Sequence, residues 1–93
     1  MIIGSIVVEA IVYNAQSLKQ KRSVIKSVAT RIRQRYNVSI TETDHQNVWQ
    51  RTEWEIVSVG TVRTQPEKEL QRALAIIEDQ HDLEVSRVTW EWL

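Results

Sequence analysis

Hydrophobic and polar positions alternate along residues 2–13 (IIGSIVVEAIVY). The even positions Ile2, Gly4, Ile6, Val8, Ala10 and Val12 are all apolar or small. The odd set Ile3, Ser5, Val7, Glu9, Ile11 and Tyr13 is mixed. A period of two predicts a strand whose even face enters the core. The odd face keeps Ile3, Val7, Ile11 and Tyr13, more apolar than a fully wetted face needs, which points to cover by a partner such as a second copy of the chain.

The period then lengthens. Leu18, Ile25, Val28, Ala29, Ile32 and Tyr36 fall in one arc at about 100° per residue and predict a helix over 18–36. Ser17 is a good N-cap with Gln20 three residues on, a capping-box pattern, and Asn37 is a plausible terminator. Residues 38–44 (VSITETD) alternate and are β-branched, so they read as a strand. Residues 45–52 are a connection, and 53–62 (EWEIVSVGTV) a strand antiparallel to the last. A second helix is expected over 66–80, with Pro66 in its first turn, Thr64 and Glu67 as capping residues, and Leu70, Ala73, Leu74 and Ile77 facing the core. Residues 83–92 close the chain as a strand; Val85 and Val88 differ in phase, which predicts a bulge near Ser86-Arg87.

The order β-α-β-β-α-β fits the ferredoxin-like α+β fold, a four-stranded antiparallel sheet. Right-handed crossovers then put both helices on one face and leave the other open. No linker, repeat or low-complexity tract divides residues 1–93, so one domain is expected.

Composition changes this picture in two ways. The formal charge is zero, from 12 Lys+Arg and 12 Asp+Glu, but the charges are not mixed. Residues 1–35 hold seven basic residues and one acid, Glu9, a net +6; residues 36–93 hold five basic and eleven acidic residues, a net −6. Such asymmetry marks either a polyanion surface or two oppositely charged elements paired within the fold. Cys is absent, which excludes disulfides, thiolate nucleophiles and Cys-based zinc sites. No apolar run is long enough to span a membrane, and Met1-Ile2-Ile3-Gly4 lacks the basic n-region of a signal peptide.

Catalytic and cofactor signatures are missing. Gly4 and Gly60 both fall in strands, so no Gly-rich phosphate loop exists and no cofactor is expected. His45 and His81 each stand beside an acid, without metal-ligand spacing, so no metal is expected. Acylphosphatase chemistry lives on this fold but needs a Gly-containing cradle with an Arg after the first strand; Asn14-Ala15-Gln16-Ser17-Leu18-Lys19 supplies neither.

The first helix carries the more informative pattern. Lys19, Arg22, Lys26 and Arg33 share one flank of its core stripe, Lys21, Arg31 and Arg35 border the other, and the outermost strip is Ser23, Ser27, Thr30 and Gln34. A helix shaped only for solubility would carry opposite charges four residues apart; this one has no acid. Two cationic rails beside a small polar ridge suit a phosphate backbone, through counterion release rather than base reading. The competing reading pairs the basic flank with Glu67, Glu69, Glu78 and Asp79 of the second helix. In the connection after the second strand, Trp49, Gln50 and Arg51 are able to stack on and hydrogen-bond an unpaired base, or Trp49 closes the end of the core. Trp54, Trp90 and Trp92 read as filling of the core or of a dimer interface.

The stretch Asn14-Ala15-Gln16-Ser17-Leu18-Lys19-Gln20-Lys21-Arg22-Ser23-Val24-Ile25-Lys26 resembles the signature of the YlxP-like family, small bacterial proteins of unknown function. Tyr36-Asn37-Val38-Ser39-Ile40 and Trp49-Gln50-Arg51-Thr52 form a second co-linear block, and the resemblance spans essentially the whole chain. It implies a ferredoxin-like fold, a cytoplasmic location and no established activity. Genes of that family often lie among those for transcription termination and ribosome maturation, which implies RNA or a ribosomal subunit as partner. The residues so implicated are Lys19, Lys21, Arg22 and Lys26 with Trp49, Gln50 and Arg51; no catalytic residue transfers. A homodimeric structural or ligand-sensing module, associating through the open sheet face, is the alternative.

Overall fold

The computed structural model covers residues 1–93. Alternation in the first segment produces β1 (Ile2–Val12), in which Ile6, Val8, Ala10 and Val12 are buried. Asn14 takes a left-handed backbone (φ 63°), which an Asn side chain tolerates, and turns the chain into α1 (Leu18–Arg35). The Ser17 hydroxyl accepts from the Gln20 amide at 3.1 Å, and the Gln20 side chain accepts from the Gln16 amide at 2.7 Å. The capping box is therefore present, displaced by one residue on its return arm.

β2 (Ser39–Asp44), β3 (Arg51–Gly60), α2 (Thr64–Glu78) and β4 (Leu83–Trp92) follow. The sheet order is β2-β3-β1-β4, with all neighbours antiparallel, which is the ferredoxin-like arrangement. The predicted bulge is present: β4 slips against β1 between Glu9 and Ala10, Ser86 is the extra residue, and its hydroxyl donates to the Glu9 carbonyl at 3.2 Å.

Element ends differ from expectation for identifiable reasons. α2 begins at Thr64 rather than Pro66, and Thr64 is no cap. The Gln65 side chain takes over, accepting from the Thr61 amide at 2.7 Å and more loosely from Val62. Asn37 does not end α1 in a left-handed turn; Tyr36 leaves the helix in extended backbone, and the Asn37 carbonyl accepts from Ser58 at 2.7 Å. β3 starts at Arg51, two residues early, because Arg51 and Thr52 extend its ladder with β1, opposite Ile11 and Ala10.

The core lies between the sheet and the helices. Ile6, Val8, Trp54 and Ile56 from the sheet meet Ile25, Val28 and Ile32 of α1 and Leu70, Ala73 and Ile77 of α2. Trp54 is the bulky filling that the sequence anticipated, but Trp90 and Trp92 are not sealed in; they line the outer edge of β4.

Candidate nucleic-acid interface

Seven cations stand on α1, and packing sorts them into three groups. Lys21 lies in the core stripe, four residues before Ile25, and is fully buried. Its ammonium is 2.9 Å from Glu42 Oε2 and also donates to the His45 carbonyl. Glu42 in turn accepts from the Thr52 hydroxyl at 2.7 Å. The sequence pattern groups Lys21 with the phosphate-facing cations, and its burial corrects that: its charge is consumed inside the domain. It ties α1 to β2 and to the start of the 45–50 connection, where His45 holds a left-handed backbone (φ 63°).

Lys19, Arg22, Lys26 and Arg33 form the second group. All four are exposed, and none makes an ion pair with a carboxylate. Arg33 donates to the Ile40 carbonyl of β2 at 2.7 Å. A right-handed β1-α1-β2 crossover places this flank toward β2, the outer strand of the sheet, and the Arg33 contact agrees. The rail therefore runs along a free sheet edge and faces away from α2.

Arg31 and Arg35 make up the third group, on the flank toward α2. They too lack carboxylate partners, and the Arg31 Nε is enclosed without an acceptor. At the C-terminal end of α1 a polar cleft of about 400 Å³ lies against α2, lined by Asn37, Val59, Gln65, Lys68, Glu69 and Arg72. The nearest ion pair of α2 is internal, Arg63 to Glu67 at 3.8 Å. No acid of α2 forms an ion pair with α1.

The connection candidates divide. Trp49 is 46% exposed, so it does not close the core. Gln50 is exposed and its carbonyl accepts from the Val12 amide at 2.8 Å. Arg51 pairs with Ile11 in register and so points to the open sheet face, 4.0 Å from Glu9. The structure thus brings this connection to the N-terminal end of α1 through Lys21, but sends Arg51 to the opposite face from the rail.

The open face itself is acidic. Register places Ile3, Val7, Ile11, Val57 and Val59 there, together with Glu9, Glu53, Glu55, Glu84 and Glu91 against only Arg51 and Arg87. Ser5, also on this face, is covered by Glu55, whose carboxylate accepts its hydroxyl at 2.9 Å. No grouping of three or more His, Asp or Glu side chains suitable for a metal occurs, and no helix is long and apolar enough to cross a membrane.

Trp90 and Trp92 stack with centroids 6.2 Å apart and ring planes 21° apart, and the Arg63 guanidinium sits 4.3 Å above the Trp92 ring. The signal was present in the spacing: residues 90 and 92 share one face of a strand.

Residues 3–90 match the family model described as Protein of unknown function (DUF503). The chain is 46% identical over 90 residues to the Uncharacterized protein YlxP of Bacillus subtilis (strain 168), covering 97% of this chain and 98% of that one. Among solved structures it resembles the de novo designed protein Foldit4, with a TM-score of 0.58, 14% identity and coverage of 98% and 97% of the two chains. That likeness concerns the fold alone.

Proposed function

The chain belongs to the DUF503 family of proteins of unknown function, and from that premise we propose that it is an RNA- or ribosome-associated protein whose contact surface is the outer flank of α1. The observation that carries this reading is the set Lys19, Arg22, Lys26 and Arg33, four exposed cations on one flank with no carboxylate partner. Unpaired cations in a row neutralise phosphates and release counterions, whatever the base sequence. The neighbouring Trp49 and Gln50, exposed at the same end of the helix, supply a ring and an amide for an unpaired base.

Binding to structured RNA and to ribosomal subunits at low salt tests it. Affinity should fall as salt rises, with a log–log slope of about −0.7 to −0.9 per phosphate contacted. Replacing Lys19, Arg22 and Lys26 by Gln together should flatten that slope by about 2–3 and leave the fold intact. Absence of binding at low salt, or an unchanged slope in the triple variant, would remove the proposal.

A second reading, a homodimer through the open sheet face, is favoured by the partly exposed strip Ile3, Val7, Ile11 and Val57 with the exposed Val59. Its carboxylates make it separable from RNA binding, because salt would strengthen the one association and weaken the other.

A further inference from the structure

Away from the rail, at the opposite edge of the sheet, a groove of about 330 Å³ is lined by Arg63, Glu67, Gln71, Trp90 and Trp92. Its floor is β4, and its wall is the flank of α2 that faces away from α1. Gly4 is what lets the floor lie flat: a Cβ there would stand 2.7 Å from Trp92 Cζ3, so any side chain would lift the ring. Trp92 already carries a planar group, the Arg63 guanidinium, on its face. Trp90 lies beside it, its centroid 6.2 Å away and its plane within 21° of parallel; it is 37% exposed and carries no guanidinium of its own.

We propose that this shelf takes one unpaired guanine nucleotide. Stacking on Trp90 supplies sequence-tolerant affinity, and Arg63 supplies a cation for the attached phosphate. The rim supplies the selection. The Glu67 carboxylate, 3.8 Å from the Arg63 guanidinium and not hydrogen-bonded to it, keeps two acceptors in a fork, which match the adjacent N1–H and N2–H donors of guanine. The Gln71 amide offers a donor for O6. Adenine and the pyrimidines present an acceptor toward that carboxylate at one or both positions. The shelf deepens the RNA reading and rests on it for the polymer that would deliver the base, although free nucleotide tests the shelf alone.

The experiment is a titration of the ¹⁵N-labelled protein with GMP, AMP, CMP and UMP, read on the indole N–H resonances. GMP should bind most tightly, shifting the Trp90 and Trp92 signals in a saturable way. Trp90→Leu, which keeps apolar bulk at the sheet edge, should weaken GMP by about tenfold or more. Glu67→Gln should erase the preference for GMP over AMP while the fold stays intact by the same spectra. The triple substitution of Lys19, Arg22 and Lys26 should leave GMP binding unchanged, so a failed RNA assay with GMP bound would condemn the rail and not the shelf. Equal response to all four nucleotides, no saturable shift, unaltered binding in Trp90→Leu, or tighter binding of N-acetyl-arginine amide than of GMP would each overturn the proposal.

Discussion

The helical layer and the open sheet face of this molecule carry opposite charge. α1 presents cations and no acid, and those outside the core have no carboxylate partner. The open face presents five glutamates and two arginines around an apolar strip. A zero net charge is thus reached by separation across the sheet rather than by mixing over the surface. Two faces of opposite sign on one small domain respond oppositely to salt and pH, which makes each face addressable without disturbing the other.

The largest expected effect concerns the one α1 cation that belongs to neither face. Lys21→Ala removes a fully buried ammonium and leaves Glu42 with the Thr52 hydroxyl alone. Loss of one partner of a buried pair costs about 3–5 kcal/mol, a large share of the roughly 5–15 kcal/mol that holds a domain together. Urea unfolding should show the drop. Replacing both partners by apolar residues, Lys21→Met with Glu42→Leu, should recover most of it. RNA affinity of the folded Lys21→Met protein should equal that of the parent. A selective loss of RNA binding at unchanged stability would return Lys21 to the cationic face.

The open face gives a smaller effect. Val7 sits in the strip between Glu55 and Thr89. If two copies meet there, sedimentation equilibrium should show association strengthening as salt rises and as pH falls toward the carboxylate range. Val7→Asp should weaken it by about tenfold or more, as expected for losing one buried valine at about 1.5 kcal/mol. A chain that stays monomeric at micromolar concentration across that salt range would reduce the comparison to one functional face.

Much of this division is readable in the sequence, and the parts that are not have physical causes. The strand period of β1, the Ser17 cap and the Ser86 bulge are local patterns, fixed by neighbours a few residues apart, and each is present in the fold. The fate of Lys21 is not local. Its partner Glu42 lies on the core face of β2, opposite Trp54, so the pair exists only after the sheet has formed. A clue was available: Lys21 precedes Ile25 by one helical turn, on the core stripe. The direction of the rail needed the crossover hand, which assigns Lys19, Arg22, Lys26 and Arg33 to the β2 edge and leaves Arg31 and Arg35 toward α2. The sequence leaves the tryptophans of β4 as filling of the core or of a dimer interface, because composition reports residue type and not which strand becomes an edge; β4 is an edge, so Trp90 is exposed and Trp92 only half-buried.

The smallest effect is a direct probe of the acidic face. Tyr13 ends the odd set of the first segment, and its hydroxyl donates to the Glu84 carboxylate. That hydrogen bond, with some desolvation and the repulsion between tyrosinate and carboxylate, holds the phenol above its ordinary value of 10.0. The sign follows from linkage. A group whose folded value is raised keeps its proton longer when folded, so its contribution to stability is complete below the unfolded value and is lost as pH rises through the folded one. Ultraviolet titration in a Tyr36→Phe background should therefore place Tyr13 above a free tyrosine. Glu84→Gln keeps an acceptor but removes the charge, and should bring the titration back toward 10.0. Glu91→Gln, on the same strand and face but toward its other end, should move it far less. Equal shifts from the two substitutions would mean that Tyr13 reads the field of the whole face; a shift from Glu84 alone makes it a local hydrogen bond, and the acidity of the face would then have to be measured through its salt response instead.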